Sequence, residues 1–104
     1  NFADAYSLLG LIHQRNNAPL LAQQSFQKAV ALASEPPVRN ADLAAIQHNY
    51  GWFLCEQNRF AEAQVEFDRA LLQPTYRQAD KTLKAIAFCK ERAAHMTDAR
   101  RSNN

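Results

Sequence analysis

The sequence predicts an all-α fold, and three observations do so. Its 104 residues include nineteen alanines, eleven leucines and nine glutamines, against nine valine, isoleucine and threonine residues together. Alanine, leucine and glutamine lose little side-chain freedom in a helix, whereas β-branched residues lose more. Only two glycines and four prolines are present, too few for the turns of an all-β domain. A hydrophobic share of 47% exceeds that of a disordered chain. The length suits one compact domain.

Charge and hydropathy exclude several function classes. The formal net charge is +2 and no basic run exceeds Arg100-Arg101, too weak a footprint for nucleic acid. No apolar stretch approaches the roughly 18 residues of a membrane helix. The chain opens at Asn1-Phe2-Ala3 directly in a helical pattern, without a signal peptide, and reads as a fragment of something longer. The lack of a targeting signal therefore says nothing about compartment. The two cysteines are too few for a disulfide scaffold and are not spaced as a zinc knuckle.

The elements follow from a pattern that occurs twice. Helices are expected at about 2–15, 19–33, 41–57, 60–72 and 78–93. In the first, Tyr6-x-x-Leu9-Gly10 is matched in the third by Gln47-x-x-Tyr50-Gly51. On the second and fourth helices stand Ala22 and Ala63, then Phe26 and Phe67, then Ala29 and Ala70, every match in one common register. A mid-helix glycine costs roughly 1 kcal/mol relative to alanine, so Gly10 and Gly51 mark places where two backbones approach closely. Ala22 and Ala63 would supply the small residue opposite. Phe26 and Phe67, one turn on, would fill the groove beside that contact. Ala29 and Ala70 would leave room for the next unit's first helix.

Between the two units, Glu35-Pro36-Pro37-Val38-Arg39-Asn40-Ala41 contains two prolines that prevent helix, and Asn40 suits an N-cap for the third helix. A single common step takes Gly51 to Ala85 and Cys55 to Cys89, so the fifth helix begins a third unit. Its partner would start near Thr97-Asp98-Ala99, where the chain runs out; residues 97–104 are expected to be a loose tail.

This pattern resembles the tetratricopeptide repeat, W-x-x-L-G-x-x-Y followed by A-x-x-x-F, a small residue and a proline. Tyr6 and Gln47 replace the tryptophan, His13 and Leu54 the tyrosine, and Pro74 falls close to the family's proline. The resemblance implies one domain over residues 1–96, a tetratricopeptide-type α-solenoid of antiparallel helix pairs. Repeat 1 would cover about 3–36, an insert about 35–41, repeat 2 about 42–77 and a partial repeat 3 about 78–96. That is two full repeats plus the first helix of a third.

The second repeat is closer to one family. His48-Asn49-Tyr50-Gly51-Trp52-Phe53-Leu54-Cys55, Asn58-Arg59-Phe60-Ala61-Glu62-Ala63 and Phe67-Asp68-Arg69-Ala70-Leu71 are similar to the type IV pilus biogenesis/stability lipoproteins, as are Pro74-Thr75-Tyr76 and Cys89. The similarity covers roughly residues 41–93. It implies a non-enzymatic periplasmic protein associated with the outer membrane, without a cofactor. The membrane link would be a lipid anchor outside this sequence. Partners would be proteins or peptides, among them the pilus secretin or other pilus-assembly components. A cytosolic tetratricopeptide scaffold, or a substrate-recruiting arm of a larger enzyme, are the alternatives.

In such an architecture the first helices line a concave partner groove. Ser7, Leu11, Gln14 and Arg15 would line it in repeat 1. His48, Trp52 and Glu56 would come next in repeat 2, then Thr82, Ile86 and Lys90. Trp52, next to Gly51, would point into this groove as a partner hot spot, or pack against the neighbouring repeat. A clamp for a chain-terminal carboxylate is not expected, since Ser7, His48, Leu11 and Trp52 occupy the corresponding positions. Cys55 and Cys89 hold the same place in adjacent first helices, within the Cα reach of about 5–7 Å that a disulfide needs. Two buried thiols are the other reading.

No constellation for catalysis emerges. His13, His48 and His95 fall on separate elements, with no H-E-x-x-H and no paired carboxylate. There is no glycine-flanked serine elbow or phosphate-cradling loop. His48 with Cys55 and Cys89 would lack a fourth metal ligand, and His48 reads as a groove-wall or capping side chain. Arg59, Glu62, Glu66, Asp68 and Arg69 read as a solvated face with i,i+3 and i,i+4 pairs. Residues 78–93, without a partner helix, would leave an apolar face suited to dimerisation.

Overall fold

A computed structural model describes residues 2–35 and 40–102. Among them are five helices and no strand: α1 (Phe2–Arg15), α2 (Pro19–Ala33), α3 (Asn40–Glu56), α4 (Phe60–Leu71) and α5 (Ala79–Ser102). The expected bounds hold within a few residues for the first four. The insert with Pro36 and Pro37 and the capping role of the Asn40 side chain lie outside the described residues.

The two turns inside the helix pairs repeat in the register that relates the glycines. Asn17 (φ 57°) and Asn58 (φ 62°) are the non-glycine residues in the left-handed region among those described. After α1, the N–H of Ala18 donates to His13 O (2.9 Å) and that of Asn17 to Gln14 O (3.2 Å). After α3, Arg59 donates to Leu54 O (2.9 Å) and Asn58 to Cys55 O (3.0 Å). Each set is a Schellman closure, which satisfies carbonyls left open at a helix end and needs a residue tolerant of positive φ. The stop signal of both first helices is thus an asparagine, where glycine is commoner. Pro19 then opens α2 in its first turn, where a missing N–H does no harm.

Helix α1 packs along α2 and α3 along α4; α2 then meets α3 and α4 meets α5, while α1–α3 and α3–α5 touch along one side. The core lies at these junctions. Phe26 and Phe67 are fully buried, together with Ala22, Ala29, Ala63 and Ala70. The glycines are explained differently from the expectation. The close neighbour is an aromatic ring rather than a second backbone. A Cβ on Gly10 would stand 2.9 Å from ring carbons of Phe26, and one on Gly51 would stand 2.8 Å from those of Phe67. Each phenylalanine therefore lies on the glycine of its own helix pair. Phe26 also stacks on Tyr50 (centroids 5.8 Å) and meets Phe53 (5.5 Å).

Helix α5 corrects one expectation. It runs unbroken to Ser102, so positions 97–102 are helical, in place of the expected loose tail and start of a partner helix. Neither glycine nor proline occurs between Ala79 and Ser102, and alanine, lysine and arginine sustain the helix. Cys55 of α3 and Cys89 of α5 form a disulfide with a Cα separation of 5.9 Å. Both are buried.

Two stability tests arise from this packing. Gly10→Ala and Gly51→Ala gain up to about 1 kcal/mol of helix propensity. They also drive a methyl group into a ring that has no room to move, an overpacking cost of roughly 1–3 kcal/mol. Each is expected to lower stability in urea denaturation, and Phe67→Leu is expected to recover part of the loss in the Gly51→Ala background. Reducing the disulfide, which closes a loop spanning 34 residues, is expected to remove about 3–4 kcal/mol. Thermal melts with and without a phosphine reductant measure it.

Candidate functional site

Three helices converge on a groove of about 410 Å³. Leu11 comes from α1, His48, Asn49 and Trp52 from α3, and Lys81, Lys84, Ala85 and Phe88 from α5. On α5 these are spaced i, i+3, i+4 and i+7, one stripe of a helix. Trp52 and Phe88 form its aromatic floor, with ring centroids 5.3 Å apart and planes tilted by 40°. Phe88 is 50% exposed and Trp52 is half-buried.

The polar wall is tied across helices. Thr82 is fully buried; His48 Nδ1 and Thr82 Oγ1 are 2.8 Å apart, and Tyr76 OH and Thr82 Oγ1 are 2.7 Å apart. Thr82 has one hydroxyl hydrogen, so a relay in which Tyr76 donates to Thr82 and Thr82 donates to a neutral His48 satisfies all three groups. His48 also lies on the Phe67 ring, with centroids 5.6 Å apart. Asn49 Nδ2 donates to Ser7 Oγ at 3.3 Å, joining α3 to α1. Burial, and then the Lys81 ammonium, push the pKa of His48 down from 6.5 to about 4.

Of the positions expected on a partner surface, Leu11, His48 and Trp52 line this groove. Ser7, Thr82 and Ile86 are buried behind it. Gln14 faces a separate cavity beside Asn17, Pro19 and Gln57, and its Oε1 has no hydrogen-bond partner among the described residues. Arg15, Glu56 and Lys90 are exposed and lie outside the groove lining. Lys81, Lys84 and Phe88 are not among the expected positions, although the stripe they form with Ala85 is legible. The step that relates Cys55 to Cys89 points instead to the neighbouring stripe of α5.

One further expectation changes. Glu66 is not part of a solvated face: it is 7% exposed, and Arg69 Nη1 donates to its Oε1 at 2.9 Å. Burial raises its pKa. Arg59 and Glu62 do form a surface pair, and the Arg59 hydrogen bond lowers the Glu62 pKa. Exposed apolar side chains occur on α5 and also on the first two helices. Leu83 and Phe88 are exposed on α5, and Phe2, Leu8, Leu9, Leu11, Ile12, Leu20 and Leu21 are exposed on α1 and α2.

Among the described residues no group of three or more histidine, cysteine or acidic residues is clustered as a metal site would be. No described helix is long and apolar enough to cross a membrane.

Known proteins add an outside constraint. The chain is 41% identical over 86 residues to the type IV pilus assembly protein PilF of Pseudomonas aeruginosa, covering 83% of this chain and 31% of PilF. It is 29% identical over 96 residues to an uncharacterised protein of Haemophilus influenzae, covering 92% of this chain and 50% of that protein. The helices and these likenesses fit a tetratricopeptide-like protein. The chain spans half the length of the Haemophilus protein and about a third of PilF. No family model and no solved structure matches it.

The buried imidazole sets a pH dependence. The unfolded chain takes up a proton on His48 as pH falls below 6.5, while the folded chain resists until about 4. The His48 contribution to stability is therefore full above pH 6.5 and declines across that window, by on the order of 3 kcal/mol for a shift of this size. Urea midpoints measured from pH 7.5 to 4 are expected to fall, and His48→Asn is expected to flatten the profile.

Proposed function

We propose that the helix pairs are stacked repeats of an α-solenoid and that the chain is a non-catalytic protein-interaction module serving type IV pilus biogenesis. The observation that carries this reading is the 41% identity to PilF over 83% of the chain. It is joined by the groove with its half-buried tryptophan and exposed phenylalanine. Aromatic side chains in a concave surface are suited to anchoring a partner.

The internal repeat supports stacking. In the register that matches Gly10 to Gly51, Leu9 and Ile12 correspond to Tyr50 and Phe53. Tyr50 and Phe53 are buried against α2, whereas Leu9 and Ile12 are 38% and 46% exposed. The face of α1 thus has the apolar character that α3 buries under the preceding pair. The disulfide favours an oxidising compartment over the cytosol, which agrees with a periplasmic site of action and a lipid anchor elsewhere in the parent protein. Secretin subunits and other pilus-assembly components are the partners this reading names.

Deleting the encoding gene from its bacterium is expected to reduce surface pili and assembled secretin multimers, both restored by a complementing copy. Electron microscopy and immunoblots read the two outcomes. Unchanged piliation with unchanged secretin overturns the pilus assignment.

A further inference from the structure

The groove has a chemistry that selects among partners. Its floor is apolar, made by Trp52, Phe88 and Leu11, and its α5 rim carries Lys81 and Lys84. Both lysines are exposed, and neither is ion-paired to a described residue. No carboxylate is among the described residues that line the groove. His48, buried in the wall, stays neutral at physiological pH because burial and the Lys81 ammonium lower its pKa to about 4, so among the described lining residues the positive charge comes from Lys81 and Lys84 of α5. The rim charge acts inward as well, since the Lys81 ammonium contributes to holding His48 unprotonated.

We infer that this groove binds a protein segment that places an aromatic or long aliphatic side chain on Trp52 and Phe88 and flanking Asp or Glu side chains against Lys81 and Lys84. The inference rests on the interaction reading above and adds the chemistry of the segment. The two rings are tilted by 40° and line the groove together, so a third apolar side chain seated there meets aromatic faces or edges. A purely apolar segment would cover two ammonium groups without pairing them, which is costly. A basic segment would meet like charge at close range. Carboxylates at the rim satisfy both lysines while remaining partly solvated, where such pairs favour the right partner and speed its arrival. Asn49, anchored through Ser7, supplies an amide beside the rings for the segment's backbone. Two cations are among the described lining residues, too few for phosphate tracking along a nucleic acid.

Trp52 is the sole tryptophan of the chain, so its emission reports occupancy directly. The full chain is titrated with two capped probes, acetyl-Asp-Glu-Phe-Leu-Asp-Glu-amide and acetyl-Lys-Arg-Phe-Leu-Lys-Arg-amide, at low salt. The acidic probe is expected to shift the emission saturably and to bind at least tenfold more tightly than the basic one. That preference should shrink as salt is raised. K81E/K84E, checked for folding by circular dichroism and its melting midpoint, is expected to reverse the preference. Phe88→Ala is expected to weaken the acidic probe at least fivefold, whereas Leu83→Ala, an exposed apolar position outside the groove, leaves it unchanged.

Equal binding of both probes, a preference that survives K81E/K84E, or no saturable binding of either overturns the inference. So does tighter binding of an uncapped, non-acidic peptide through its terminal carboxylate, or of a thymidine oligonucleotide. The pilus reading is scored separately. A chain that fails these titrations but is needed for piliation loses the groove chemistry and keeps the pathway. A chain that passes them yet is dispensable for piliation does the reverse.

Discussion

Everything in this molecule is arranged around a phenylalanine ring lying on a glycine. Phe26 on Gly10 and Phe67 on Gly51 bring α1 against α2 and α3 against α4 at a separation that only a residue without a Cβ allows. The glycines forgo helix propensity, which a single fully buried aromatic side chain more than offsets, since burying one contributes roughly 1.5–3 kcal/mol. The ring's other edge is then free to serve the next helix. Phe26 meets Tyr50 and Phe53, and Phe67 meets the His48 ring. Phe26 thus closes its own pair and begins the contact with the following one, whereas the ring contact of Phe67 with His48 stays within its own pair.

The second junction cannot be built the same way. The step from Cys55 to Cys89, applied to Tyr50 and Phe53, gives Lys84 and Ala87, both exposed. Neither can stack on Phe67 as Tyr50 and Phe53 stack on Phe26. Helix α5 is held to α3 instead by the Cys55–Cys89 disulfide, the His48–Thr82 hydrogen bond and buried Ala85 and Ile86. Cross-linking and polar bonding take over where aromatic burial lapses.

The parts of this fold that were legible in the sequence are the ones governed by local pattern. Both glycines, both phenylalanines and four sets of helix bounds follow from spacing and helix preference. The asparagine stops were not legible in the same way, because Asn17 and Asn58 differ from ordinary surface asparagines only in a positive φ. The burial of Glu66 was hidden for a related reason: on a helical wheel it sits beside Ala63 and Ala70, and its charge suggested solvent. Position in three dimensions, rather than composition, decides such residues.

The groove shows the limit most clearly. The same step that joins Cys55 to Cys89 takes His48 to Thr82. Equivalent positions on adjacent first helices are expected to lie side by side, and they do; but side by side means touching. His48 and Thr82 spend their polar atoms on each other, and the cysteines are joined. An equivalent pair that bonds across the interface turns at least one member away from the open surface. The groove lining on α5 therefore moves to the next stripe, Lys81, Lys84, Ala85 and Phe88. Lys84 stands where Tyr50 stands in the preceding unit, and it lines the groove as an exposed charge where Tyr50 is buried.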